Sequence, residues 1–223
     1  MPIKGQKKKS SEISNLATAK LNTIAVRFPS NKVIRKLLKN INFPLAIPSA
    51  NKSGGISPVS SKDVAEEFGN KLKLIIDDGN CELGIESTVI DLTGKIRVLR
   101  PGVISASKIS KVIRSKVLGL KNSKNIIAPG SLKKHYSPGI PMKLNQKKSS
   151  NNHAFIVFGN SFKNTKNTFN LSKKSNLNEA AKNLYKIFRV IKNRNYKKIY
   201  VTRIPNKGIG IAINDRLKHA SED

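Results

Sequence analysis

The chain predicts an α/β fold in two parts. Three observations carry this. Short apolar or β-branched runs alternate with helically spaced ones, a stretch rich in proline, glycine, serine and lysine interrupts the alternation at residues 121–152, and a second strand–helix–strand–helix series follows. With 223 residues, each part can bury enough apolar surface to fold without cross-links.

Along the first part, residues 1–120, "NTIAVRF" at 22–28 has the composition of a short strand, and "SNKVIRKLLKN" at 30–40 places Val33, Leu37 and Leu38 at helical spacing behind a capping Ser30. "PLAI" at 44–47 reads as a second strand. "SSKDVAEEFG" has a capping Ser60 with Asp63 three residues on, Val64 and Phe68 on one face, and a stopping Gly69. "KLIID", "STVIDL" and "IRVL" read as strands, the last two parted by the turn residues Thr93 and Gly94. A helix near "SKISKVIRSK" closes this part. Residues 121–152 read as a linker.

The second part, 153–223, begins with a strand in "HAFIVFG" and continues with a helix from Asn176, a strand in "KKIYVTR" and a helix in "IGIAINDRLKHA". The first of these helices is the clearest in the chain, because Ala180, Ala181, Leu184, Ile187, Phe188 and Ile191 fall on one stripe. The series predicts a small Rossmann-like layer, although the glycine fingerprint of dinucleotide sites is absent.

Charge and cysteine narrow the function classes. A formal net charge of +30 suits polyanions such as RNA, yet the basic residues are spread along the chain together with abundant Asn and Ile, the pattern that an AT-rich genome also produces. The acids cluster instead: eight of thirteen lie within residues 63–91. A single cysteine, Cys81, forms no internal bridge, the opening "MPIKGQKKKSSE" has no apolar run of the signal-peptide kind, and no apolar run is long enough to cross a bilayer. A cytoplasmic, reduced protein is expected.

Hydrolytic and metal chemistry find little support. His135, His153 and His219 are the only histidines, no G-x-S-x-G elbow occurs, no zinc-ligand spacing exists, and there is no G-x-x-x-x-G-K-[ST] loop. What remains is a set of small donors on loops and single arginines at strand ends. Ser49, Asn51, Ser53 and Ser57 surround Gly54 and Gly55, where bare backbone can approach phosphate oxygens, or where an ordinary strand-to-helix loop turns. Arg27 and Arg100 end strands, suiting carboxylate or phosphate recognition, or a surface pair. Glu86, Ser87 and Thr88 open a strand, with Glu86 read as structural. Tyr136 stands in the linker, where no core requires it.

In joint order, "TIAVRFP", "PLAIPSANKSGGISPVS", "LIIDDGNCELGIESTVIDLTGKIRVLRPGVIS" and "APGSLKKHYSPGIP" resemble the Sua5/YrdC family, the L-threonylcarbamoyladenylate synthases. The "HYSPG" linker and "GIGIAINDRL" resemble its Sua5 branch, which carries an extra carboxy-terminal domain. The resemblance implies a YrdC-like twisted mixed sheet with helices plus a small Rossmann-like domain. It implies an enzyme that makes threonylcarbamoyl-AMP and pyrophosphate from ATP, bicarbonate and L-threonine, for modification of adenosine 37 of tRNA by partner proteins. Thr23, Ser49, Asn51, Ser57, Arg100 and Tyr136 match nucleotide-binding positions, with Asn51 also linked to the phosphates and to Mg2+. Arg27, Ile47 and Ser87 match threonine-binding positions, and Tyr136 matches a lid residue. No residue is assigned covalent catalysis, since the site works by positioning.

The family pattern also implies a long amino-terminal stretch, with a Lys-x-Arg element that grips the triphosphate and a "PGP-T" segment, upstream of what is matched here. On that expectation the chain starts partway through the catalytic domain, "MPIKGQKKK" is a fortuitous or frame-shifted beginning, the sheet has an unpaired edge, and the chain alone has little or no activity. The competing reading is a non-catalytic RNA- or nucleotide-binding module that uses the basic surface to contact tRNA or double-stranded RNA.

Overall fold

The computed structural model describes residues 4–8, 14–18, 20–119, 135–150 and 152–222. They gather into two units that do not follow chain order. One holds the described residues up to 48 together with 87–119, and the other holds 49–86 together with 135–222. Thus 49–86, which sequence order places with the 1–120 part, packs with the carboxy-terminal part. Of the expected linker, 121–134 lies outside the described residues, and 135–150 belongs to the second unit.

The first unit contains β1 (Lys4–Lys8), β2 (Thr23–Arg27), β3 (Val89–Asp91), β4 (Arg97–Arg100), α1 (Lys32–Lys39) and α3 (Ala106–Ile113). Its sheet runs β2-β1-β3-β4, with β1 antiparallel to β2 and parallel to β3, so it is mixed as expected. The opening stretch, fortuitous on the family expectation, supplies β1, placed between two other strands. Its low strand propensity is no obstacle, because ladder bonds use backbone groups and pairing context outweighs propensity. Ile90, Val98, Ile109 and Val117 form the small core. Asn31, not Ser30, caps α1, its side chain accepting from the Ile34 N–H at 3.0 Å. "PLAI" forms no strand: Pro44 and Pro48 bracket it and lack N–H donors for a ladder.

The second unit contains α2 (Ser61–Phe68), β5 (Met142–Lys143), β6 (Ala154–Val157), β7 (Thr168–Asn170), α4 (Leu177–Asn193), β8 (Ile199–Val201) and α5 (Gly210–Ser221). Its sheet is wholly parallel in the order β5-β8-β6-β7, the Rossmann-like layer that the sequence predicts. β5 and β7 escape sequence reading because two or three residues cannot establish a period. "KLIID" is not a strand; Leu74 and Ile76 are exposed and have no partner strand among the described residues. Ser60 and Asp63 form the expected capping box on α2, and Gly69 ends it at φ +52°. α4 buries Ala180, Ala181, Leu184, Tyr185, Phe188 and Ile191, each large apolar chain contributing about 1.5–3 kcal/mol of transfer free energy. No helix among the described residues is long and apolar enough to cross a membrane.

Candidate functional site

The loop 49–57 is built as a tight turn held from four sides within the second unit. Gly55 N–H donates to the Lys52 carbonyl at 3.0 Å, closing a four-residue turn whose third position, Gly54, sits at φ +77°, a conformation that other residues reach only with strain. Asn51 is buried, and its Nδ2 donates to the carbonyls of Lys52 at 2.8 Å and Gly55 at 3.3 Å. Its Oδ1 is buried with no hydrogen-bond partner among the described residues. Lys52 N–H donates to Glu67 Oε1 at 2.8 Å, and Arg189 donates to the Ile56 carbonyl at 3.1 Å while pairing with Asp63 and Glu67 at 3.4 and 3.6 Å. Finally, Ser137 N–H donates to the Gly54 carbonyl at 2.9 Å, tying "HYSPG" to the loop. The Lys52 and Gly55 amides are thus engaged by protein acceptors, and the glycines serve the turn.

Below this loop lies a carboxylate centre. Glu86 accepts from Ser57 Oγ at 2.5 Å, from the Tyr185 hydroxyl at 3.0 Å to each oxygen, and from Arg216 Nε at 2.7 Å. Arg216 is fully buried, also reaches Asp215 Oδ2 at 2.5 Å, and lies 4.9 Å over the Tyr136 ring. Burial opposes the Arg216 charge, but Glu86 first, then Tyr136 and Tyr185, hold the guanidinium protonated above its ordinary range. Burial above all, then Glu86, pushes the Tyr185 phenol well above its usual value, so it stays a neutral donor. Breaking a buried ion pair of this kind costs about 3–5 kcal/mol, because one charge is left without its counter-ion.

Tyr136, expected as a lid, is 1% exposed. It adopts φ +64°, packs edge-on to His135 at 4.0 Å and lies near-parallel to Tyr185 at 6.0 Å. The second unit therefore assembles Asn51, Ser57 and Tyr136 around the loop and its carboxylate; Ser49 is exposed at the start of the same loop.

The remaining sequence-predicted residues belong to the first unit. Thr23 and Arg27, four residues apart on β2, share a face. Arg100, at the end of β4, donates Nε and Nη2 to the Ser87 carbonyl at 3.2 and 2.9 Å, bracing the backbone that enters β3. The Ser87 side chain is buried, whereas Ile47 is 63% exposed. Thr88 Oγ1 donates to the Ile104 carbonyl at 2.7 Å.

Sequence reasoning missed Arg216 and Tyr185. A signal existed: Ile209, Ala212, Ile213, Arg216, Leu217 and Ala220 follow helical spacing, so a charge at 216 falls on an apolar stripe and needs a buried partner. Its partner is one of the clustered acids: Asp63, Glu67 and Glu86 are matched by Arg189 and Arg216. Among the described residues, no group of three or more His, Cys, Asp or Glu could hold a metal ion.

Comparison with known proteins adds the following. A family model described as telomere recombination, covering Sua5, YciO and YrdC, matches residues 3–102, and one described as threonylcarbamoyl-AMP synthase, C-terminal domain, matches residues 104–222. The threonylcarbamoyl-AMP synthase of Pyrococcus abyssi is 34% identical over 234 residues, covering 96% of this chain and 68% of that protein. Those of Bacillus subtilis and Schizosaccharomyces pombe are 36% and 37% identical, over 61% and 56% of this chain, and the matches span only 40% and 33% of their lengths. The crystal structure of P. abyssi Sua5 complexed with L-threonine is similar with a TM-score of 0.87 and 30% identity, over 98% of this chain and 70% of that one.

Proposed function

The chain belongs to the Sua5-type threonylcarbamoyl-AMP synthases, an enzyme family of nucleotidyltransferase type, and from that premise we propose that it makes L-threonylcarbamoyl-AMP and pyrophosphate from ATP, bicarbonate and L-threonine. The observation that carries this reading is the likeness, over nearly the whole chain, to a synthase structure that holds L-threonine. In the proposed reaction, bicarbonate and the threonine amine condense to a carbamate with loss of water. A carbamate oxygen then bonds to the α-phosphorus while the bond from that phosphorus to the bridging oxygen breaks, and pyrophosphate leaves. The protein's share is to hold the reactants in line and to stabilise charge.

Thr23, Ser49, Asn51, Ser57, Arg100 and Tyr136 are assigned to the nucleotide, and Arg27, Ile47 and Ser87 to threonine. Mg2+ is proposed to arrive with ATP, and the Asn51 Oδ1 that lacks a partner among the described residues is a fitting oxygen donor for it. The product is proposed to serve tRNA modification at adenosine 37 by partner proteins, in the cytoplasm. Pyrophosphate release tests the reading: it should require all three substrates, and Arg100→Ala should weaken ATP binding about tenfold or more. Release that ignores threonine, or an Arg100→Ala chain that binds ATP normally, would overturn it.

A second partner, RNA, is favoured by one feature of the second unit. A cavity of 630 Å3 is lined by Lys147, Lys148, Lys163, Lys166, His153 and Phe162 among others, with no carboxylate in its wall. Such a wall suits a phosphodiester backbone.

A further inference from the structure

We infer that Arg216 and Tyr185 are positioning residues that act through the Glu86 carboxylate to orient the Ser57 hydroxyl. The inference rests on reading Ser57 as a nucleotide contact, and it gives the carboxy-terminal helices a part in nucleotide binding.

The chemistry starts at Ser57. A serine hydroxyl has one proton, and here that proton goes to Glu86 Oε1 at 2.5 Å. Toward a ligand the oxygen therefore acts as an acceptor, with its lone pairs aimed by the direction of the bond to Glu86. This differs from the donor role toward phosphate that the loop's composition suggests. The orientation is only as fixed as Glu86 itself. Glu86 precedes β3 on a loop, and its carboxylate is gripped from two helices: Arg216 Nε from α5 at 2.7 Å, and the Tyr185 hydroxyl from α4 at 3.0 Å to both oxygens. Arg216 is locked in turn by Asp215 and by the Tyr136 ring beneath its guanidinium. Arg189, one helical turn beyond Tyr185, holds the carbonyl of Ile56, the residue next to Ser57. Both backbone and hydroxyl at the end of the loop are thus set by side chains from the carboxy-terminal helices.

A role confined to stability would leave nucleotide affinity unchanged in any variant that folds. Positioning instead couples Arg216 to Ser57. The experiment is a double-mutant cycle on the full chain, with ATP binding read by equilibrium dialysis and folding by circular dichroism and thermal melting. Arg216→Met and Ser57→Ala should each weaken ATP binding about tenfold, and the double variant should be no weaker than the poorer single one. Unchanged affinity in folded Arg216→Met, or effects that multiply in the double variant, would overturn the inference. Should Arg216→Met fail to fold, Tyr185→Phe, which removes one hydroxyl and keeps the ring, runs the same cycle with an expected loss of about threefold to fivefold under the same criteria. Arg100→Ala separates the two levels. If Arg100→Ala and Ser57→Ala lower affinity while Arg216→Met and Tyr185→Phe do not, only the positioning fails. If Arg100→Ala and Ser57→Ala are also silent, the nucleotide reading fails and takes the positioning with it.

Discussion

At the residue scale, Glu86 shows how one carboxylate can be held charged in a half-buried place: a hydroxyl, a phenol and a guanidinium all donate to it. Tyr185 provides a pH signature of this centre. Its folded pKa is raised, first by burial and then by Glu86, so the protonated phenol favours the folded state. That contribution is complete below the unfolded value of about 10 and is lost as pH rises toward and through the higher folded value. Urea unfolding between pH 8 and 11 should therefore show wild type losing stability relative to Tyr185→Phe above about pH 10. A difference between the two chains that stays constant across that range would show that the phenol is not held in this way. Arg216 adds no such dependence, because its guanidinium stays charged throughout.

At the scale of elements, α4 is the organiser of the second unit, and its approach to residue 84 is a sharp test of that. Gly84 has φ +68°, and a Cβ built there would meet Lys182 Cα at 2.4 Å and the Ala181 carbonyl oxygen at 2.6 Å. Both are helix backbone and cannot step aside as a side chain could, so Gly84→Ala should cost about 2–4 kcal/mol, from the left-handed backbone and the overlap together. Thermal melting measures it, and a destabilisation below about 0.5 kcal/mol would show that α4 does not pack here as described. The same elements show what sequence reading can reach. α4 and α2 are legible because their signals are local: a stripe at 3.6-residue spacing and a capping box. β1 is not, since a strand of lysine, glycine and glutamine owes its existence to neighbours far along the chain. "PLAI" and "KLIID" have strand composition but no partner ladder, which only tertiary structure reveals. Of the candidate site, the small loop residues are readable from their order, whereas the Glu86–Arg216 pair joins positions 130 residues apart and leaves only the oddity of an arginine on an apolar stripe.

Over the whole molecule, the net charge of +30 already counts all thirteen acids, three of which, Asp63, Glu67 and Glu86, are engaged with Arg189 and Arg216 within the second unit. The lysines at the carboxylate-free cavity of the second unit can then act as a local cationic wall, and RNA bound there should release counterions. Binding of a tRNA transcript by the full chain should weaken steeply with salt. Replacing Lys147, Lys148, Lys163 and Lys166 together by alanine should flatten the plot of log affinity against log salt by about one unit of slope for each phosphate that is no longer neutralised. All four side chains belong to exposed residues, so the melting temperature should stay close to that of the parent, which separates weakened binding from impaired folding. A parental slope retained by the fourfold variant would place RNA binding elsewhere on the basic surface, and salt-independent binding would exclude a phosphate-driven interaction altogether. Genomic bias toward lysine predicts the first of these outcomes and a dedicated RNA site predicts the flattened slope, so the measurement decides between the two origins of the charge.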